Sequence, residues 1–289
     1  MLAPWLDLPS VAERIGSLSD AAGLDLVAHG TVSDADTIRN TAIAQPLLVA
    51  TALATARELL GSTIPGLVAG HSVGECAATA LAGVVTDDDA MRLVAVRGTA
   101  MASAAANAPK ITSMAAILGG DPADVQAALS ALDLTPANVN GAGQVVAAGS
   151  KNAIDVLVAA PPAGTRVIEL SVAGAFHTET MLPAVDALRA AASAIPRQNP
   201  VCILLSNADG ATVASGDDAL NRLITQVANS VRWDRCQEAM VDLGVTGVIE
   251  VAPGGVLTGL AKRTMKGIPT LALKTPADLD AAKELMEKS

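Results

Sequence analysis

Aromatic residues are nearly absent from this chain: Trp5, Phe176 and Trp233 are all it has, and there is no tyrosine. Three scattered rings cannot form a stacking platform for single-stranded nucleic acid. Cysteine is scarce too. Cys76, Cys202 and Cys236 are odd in number and irregularly spaced, which argues against a disulfide framework or a metal cluster and suits a reducing compartment. Positive charge is outweighed, 19 Lys and Arg against 29 Asp and Glu, and a net charge of −10 disfavours nucleic acid or an anionic membrane as partner. No uninterrupted apolar run approaches the ~18 residues of a membrane span. Met1 to Ser10 lacks the basic and apolar regions of a secretory signal. A cytoplasmic protein without a bound metal or cofactor is expected, with a monomer as the default.

What is present is aliphatic. Apolar residues make up 51% of 289 and charged residues 17%, enough to bury a core of Ala, Val, Leu and Ile in one large domain or two modest ones. The stretch before Asn40 carries no motif and is assigned no element. A helix is predicted from Asn40 to Leu60, with Pro46 near its first turn and Gly61 after its last. A short buried strand, Leu67 to Ala69, precedes a helix from Val73 to about Ala82. The Thr86-Asp87-Asp88-Asp89 cluster should cap another helix reaching roughly Ala106. This alternation predicts an α/β core with a doubly wound, mostly parallel sheet.

The middle of the chain reads as βαββαβ: strands near Met114–Leu118, Thr135–Asn140, Gln144–Ala148 and Arg166–Ser171, with helices over Asp121–Leu132 and Ala153–Ala160. That order predicts a ferredoxin-like subdomain, residues 111–172, inserted between core segments 1–110 and 173–289. Beyond it, helices are predicted near 181–195, 219–227, 233–243 and 256–266, and strands near 201–205, 248–251 and 271–273.

Gly70-His71-Ser72-Val73-Gly74 matches G-x-S-x-G between a predicted strand and a predicted helix. A tight turn there needs glycines on either side of the serine and lifts its hydroxyl clear, with the Val73 N–H facing the same space. By chance, three fixed positions recur in about one chain in ten of this size, so the pentapeptide gains its force from context. A serine nucleophile needs a base, and the chain has three histidines. His71 lies inside the motif and cannot easily turn back on Ser72. His29 sits in a polar stretch and reads as a surface residue. His177, after Gly174-Ala175-Phe176 at a strand-to-helix loop, is left as the candidate base. No histidine follows it, so the common order of serine, acid and late histidine does not apply, and a dyad oriented by another group, a backbone carbonyl among the candidates, is expected. Arg97, mid-helix with Met101 one turn on, is by default a surface residue. On an apolar face it would instead need an anionic partner, such as an acidic acyl group.

Taken together, Gly70-His71-Ser72-Val73-Gly74-Glu75, Arg97-Gly98, Asn138-Val139-Asn140, Gly143-Gln144-Val145-Val146, Gly174-Ala175-Phe176-His177, Ser206-Asn207, Gln226 with Val231-Arg232-Trp233, and Pro253-Gly254-Gly255-Val256-Leu257 resemble the malonyl-CoA:acyl carrier protein transacylases of fatty-acid synthesis. The likeness runs over nearly the whole chain, in order, and implies a hydrolase-like, mostly parallel α/β core interrupted by the ferredoxin-like subdomain. It implies a ping-pong transfer of malonyl from malonyl-CoA to the phosphopantetheine thiol of acyl carrier protein. In that scheme Ser72 carries the acyl group, His177 is the base, the Gln226 carbonyl orients it, the Val73 N–H stabilises the oxyanion and Arg97 clamps the malonyl carboxylate. Met101, His71, Phe176 and Asn140 are implied near the substrate, Phe176 and Val73 favouring malonyl over methylmalonyl. Lys262, Arg263 and Lys266 are expected to share one helix face that docks the acidic carrier protein, with Arg232 and Arg235 as further candidates. Family members begin with a strand and a Gly-Gln-Gly-Ser-Gln-like loop that this sequence does not show, which suggests an internal start, a shortened chain or a weakened copy. A serine thioesterase, a transferase of another acyl group and a non-catalytic carrier-protein binder are the competing readings.

Overall fold

The structure, a computed structural model, describes residues 1–288. The chain opens with three helices that the sequence reading leaves unassigned: α1 (Pro9–Ala22), α2 (Leu26–Thr31) and α3 (Ala35–Arg39). Their signals are ordinary ones. α1 starts on a proline, buries Val11, Ile15 and Leu18 along one stripe, and stops at Gly23 in the left-handed region (φ +66°).

α4 (Thr41–Leu60) is capped by the Asn40 side chain, which accepts the Ala42 N–H at 3.0 Å. Pro46 falls in its second turn rather than its first, inside the helix. The helix is long and apolar enough to cross a bilayer, yet 67% of its most apolar window is buried inside the protein, as a core helix would be. Then come β1 (Leu67–Val68), α5 (Gly74–Leu81) and α6 (Asp87–Ala106), the last capped by Thr86 and carrying Asp87, Asp88 and Asp89 in its first turn. α4 and α6 pass close together at Gly98, where a β-carbon would lie 2.7 Å from the Thr41 carbonyl oxygen. That close approach brings Gln45, one turn further along α4, to Arg97.

The middle segment is β2 (Thr112–Gly119), α7 (Pro122–Ala131), β3 (Thr135–Gly141), β4 (Gln144–Ser150), α8 (Lys151–Ala159) and β5 (Thr165–Glu169). The rest of the chain is α9 (Leu182–Ala192), β6 (Ile203–Leu204), α10 (Gly216–Gln226), β7 (Val231–Arg232), α11 (Trp233–Asp242), β8 (Val248–Glu250), α12 (Val256–Thr264), β9 (Thr270–Ala272) and α13 (Leu279–Glu287).

The largest sheet has the order β5-β2-β4-β3-β7. Its first four strands pair antiparallel in the arrangement of a split βαβ unit. One face packs Ile117, Leu129, Ile154 and Leu157; the other packs Met114, Ala137, Val146 and Ala148 against Ala175. The fifth strand comes from outside residues 111–172: β7 runs parallel to β3, with Asn138 opposite Val231 and Val139 opposite Arg232. Parallel pairing in the remainder is present but divided. β1 pairs with β6 and β8 with β9, as two separate two-stranded ladders rather than one continuous sheet. Both β1 and β6 end where the backbone turns away to present Ser72 and Asn207.

Candidate active site

Ser72 occupies the turn between β1 and α5 with φ +52°, a left-handed conformation that a residue with a β-carbon adopts only under constraint. The constraint is the closeness of the turn: a β-carbon at Gly70 would come within 2.0 Å of the Gly74 carbonyl carbon. Glycine is thus required at 70. At 74 it is not, since a β-carbon there meets nothing within 4 Å, and the expectation of a forced glycine on both sides holds on one side only. The Ser72 N–H is already committed, donating to Asn207 Oδ1 at 2.7 Å. The Val73 N–H has no acceptor among the described residues.

His177 is also left-handed, φ +60°, held by its own N–H to the Val227 carbonyl at 3.1 Å. Its Nδ1 lies 3.0 Å from the Gln226 backbone carbonyl and its Nε2 2.8 Å from Ser72 Oγ. A carbonyl can only accept, so Nδ1 carries the proton and Nε2 is the free base facing the hydroxyl. Burial, then the nearby Arg97 charge, push the His177 pKa down to about 3, so the imidazole is neutral throughout the physiological range.

Arg97 is 1% exposed, not a surface residue. Its Nη1 donates to Gln45 Oε1 at 2.6 Å, and its Nη2 to Gln226 Oε1 at 2.7 Å and to Ser72 Oγ at 3.3 Å. Its Nε has no partner. Burial lowers its pKa, but a guanidinium stays charged. Both strong acceptors are neutral amides, so the cation has no carboxylate in direct contact. Glu75 is one amide away. It accepts the Asn207 N–H at 2.6 Å and the Gln226 side-chain amide, and burial pushes its pKa up to about 7 against those hydrogen bonds.

The other expected residues divide into groups. His71 turns from Ser72, as anticipated; its Nε2 meets Asn140 Oδ1 at 2.8 Å and its ring stands edge-on to Trp233, centroids 5.6 Å apart. Burial holds its pKa below the usual value. Met101 is buried and its sulfur takes the Gln45 amide at 3.4 Å. Phe176 is half-buried beside His177 and packs against both the main core and the five-stranded sheet. Lys262, Arg263 and Lys266 are exposed, but Lys266 lies in the turn past α12 rather than on it, and Arg263 is bonded to Gln144 Oε1 at 3.1 Å. Arg232 and Arg235 are paired with Asp234 and Glu238, which leaves little free charge for docking.

Gln45 and Glu75 escaped the sequence reading as members of this cluster. A lone amide inside an apolar helix has to find a partner, and that was the signal for Gln45. Glu75 stood in plain view at the end of the serine motif.

The sequence model of the acyl transferase domain matches residues 13–281. The malonyl CoA-acyl carrier protein transacylase of Mycolicibacterium smegmatis is 49% identical, covering 99% of this chain and 100% of its own. The crystal structure of the Mycobacterium tuberculosis MCAT superposes with a TM-score of 0.93 at 48% identity, covering 98% of this chain and 94% of that one. A type II PKS acyl-carrier protein in complex with its malonyl-transacylase gives a TM-score of 0.88 at 32% identity, covering 98% of this chain and 94% of that one. A left-handed serine at a strand-to-helix turn, a neutral histidine on its hydroxyl and likeness over the whole fold converge on one assignment: this chain belongs to the acyl transferase domain family.

Proposed function

We propose that the chain transfers a malonyl group from malonyl-CoA to the phosphopantetheine thiol of an acyl carrier protein in fatty-acid synthesis, as a cytoplasmic enzyme working through a seryl ester. The observation that carries this reading is Arg97: a buried guanidinium 3.3 Å from Ser72 Oγ, with neutral acceptors only. A fixed cation beside a nucleophile selects an acyl group that ends in a carboxylate, because a neutral chain would leave that charge unanswered. The names of the relatives agree.

In the first half-reaction His177 Nε2 takes the Ser72 proton as Oγ attacks the thioester carbonyl carbon. Charge developing on the carbonyl oxygen is met by the Val73 N–H at the start of α5. The C–S bond then breaks, His177 returns the proton to the CoA sulfur, and malonyl remains on Ser72. In the second half-reaction the carrier thiol gives its proton to His177 and attacks the ester, and Ser72 leaves with that proton. The Gln226 carbonyl keeps Nδ1 protonated throughout. Met101, Phe176 and the His71–Asn140 pair shape the acyl pocket. Residues 111–172 act as an inserted subdomain on the core of 1–110 and 173–289, and the His71–Asn140 bond joins the two.

Mixing with radiolabelled malonyl-CoA tests the reading. A burst of stable malonyl-enzyme, discharged by holo carrier protein, is the expected result. Steady release of malonate without a burst would make the chain a hydrolase, and no adduct at all would make it a binder.

A further inference from the structure

One buried ionisable group takes no part in the transfer steps. Glu75 is 5% exposed, and each of its oxygens is taken by a different donor: the Asn207 N–H at 2.6 Å and the Gln226 side-chain amide. The other ends of those two residues reach the reacting groups. Asn207 Oδ1 accepts the Ser72 N–H at 2.7 Å, and its amide nitrogen donates to the Gly70 carbonyl at 2.8 Å. Gln226 Oε1 accepts from Arg97 at 2.7 Å, and its backbone carbonyl lies 3.0 Å from His177 Nδ1. One carboxylate thus stands at the junction of the nucleophile's turn, the cation and the orienter of the base.

The Gln226 amide shows why a charge is used there. Its oxygen faces a guanidinium that only donates, and its NH2 faces a carboxylate that only accepts. Flipping the amide would set NH2 against Arg97 and oxygen against Glu75, two repulsive contacts in a buried site. We propose that Glu75 is a positioning residue of the acyl-transfer site: its carboxylate locks the Gln226 amide against Arg97 and, through Asn207, holds the turn that carries Ser72. The proposal rests on the malonyl-transfer reading.

Four groups face this carboxyl: Arg97 from α6, Arg222 from α10, and the thiols of Cys76 on its own helix and Cys236 from α11. Burial pushes its pKa up to about 7, with the Asn207 and Gln226 hydrogen bonds and the two arginines opposing. Acid and carboxylate forms therefore exchange near neutrality. Protonation removes the charge that fixes the amide and puts an O–H where an N–H already points.

The test is single-turnover acylation by malonyl-pantetheine, which carries no phosphate to titrate, from about pH 6 to 8.5. Wild type should acylate faster as pH rises, with a midpoint near 7. Glu75→Gln should keep its circular dichroism, lose at least about tenfold in acylation rate at the alkaline end, and show a flat profile. Glu75→Asp should keep an inflection at a shifted midpoint. A wild-type rate in Glu75→Gln, or an inflection that survives in it, overturns the proposal. If Glu75→Gln does not fold, the other two chains decide: a midpoint that moves in Glu75→Asp supports the role, and a flat wild-type profile or an unmoved midpoint overturns it. Failure of wild type to form any malonyl ester would count against the malonyl-transfer reading instead.

Discussion

In the five-stranded sheet, seven successive residues of β2 face partners on β4, from Thr112 opposite Ser150 to Leu118 opposite Gln144, whereas beside Ser72 the paired strands are two residues long. The sheet region confines its left-handed residues with side chains, Asp133 and Ala142, to turns on its rim. The region of the serine places its two, Ser72 and His177, in direct contact with each other. The sheet's two faces are aliphatic. The site buries Arg97, Glu75, His177, Gln226 and Asn207 together. One region draws stability from repeated ladders and packing; the other holds strain and buried charge because its surroundings over-determine it. Stability and chemistry should therefore separate by region.

The deepest break in that division would come from Ser72 and His177. Ser72→Ala should abolish labelling by malonyl-CoA, and His177→Ala should slow it by about 10²–10⁴-fold, both with unchanged circular dichroism. A malonyl adduct on Ser72→Ala, located by peptide mass spectrometry, would remove the serine from its role. On the other side, Ile117→Ala, 1% exposed where α7 and α8 pack on the sheet, should cost about 2–5 kcal/mol in urea unfolding. Below its unfolding transition it should acylate at the wild-type rate; a matching loss of rate would mean the two regions are not separable. Arg97→Ala should lower the preference for malonyl over acetyl by about 1.5–3 kcal/mol, read as the ratio of kcat/KM, and Arg97→Lys should lose most of it as well.

Acid should distinguish the regions too. His177 binds fewer protons in the folded chain than in the unfolded one, so its contribution to stability is lost as pH falls below about 6.5 towards 3. Glu75 acts in the opposite sense, and its raised pKa makes stability decline as pH rises from about 4.5 to 7. In His177→Gln, melting followed against pH should show a shallower acid limb than wild type. The smallest effect is at the surface. Lys262→Glu, at an exposed position of α12, should raise the KM for carrier protein by a few-fold at low ionic strength and not at high salt; an unchanged KM at low salt would leave α12 out of docking.

The two regions also differed in how readily the sequence disclosed them. The βαββαβ order showed in alternation, capping residues and Gly141-Ala142-Gly143, all local signals. The serine turn was legible because its sterics need Gly70. The joining of β7 to β3 was hidden, since a two-residue strand has no period to detect. So were Gln45 and Glu75, whose partners on α6, α10 and the turn after β6 are set by tertiary packing alone. α1 carries an ordinary helical stripe at Val11, Ile15 and Leu18 that was there to be read, whereas α2 and α3, six and five residues long, are too short to show a period.

The fifth strand of the large sheet bears on how this protein could be recombined with its relatives. An exchange cut near residues 111 and 172 would carry away four strands and leave β7 behind, facing a foreign edge. The same short stretch, from Gln226 to Trp233, supplies the carbonyl 3.0 Å from His177 Nδ1 and the ring that packs on His71. A chimera that ignores it would misfit at a sheet edge and at the base in one stroke. Grafts that transplant 226–233 together with β2–β5 keep both contacts matched, so the unit of exchange is discontinuous in sequence though contiguous in space.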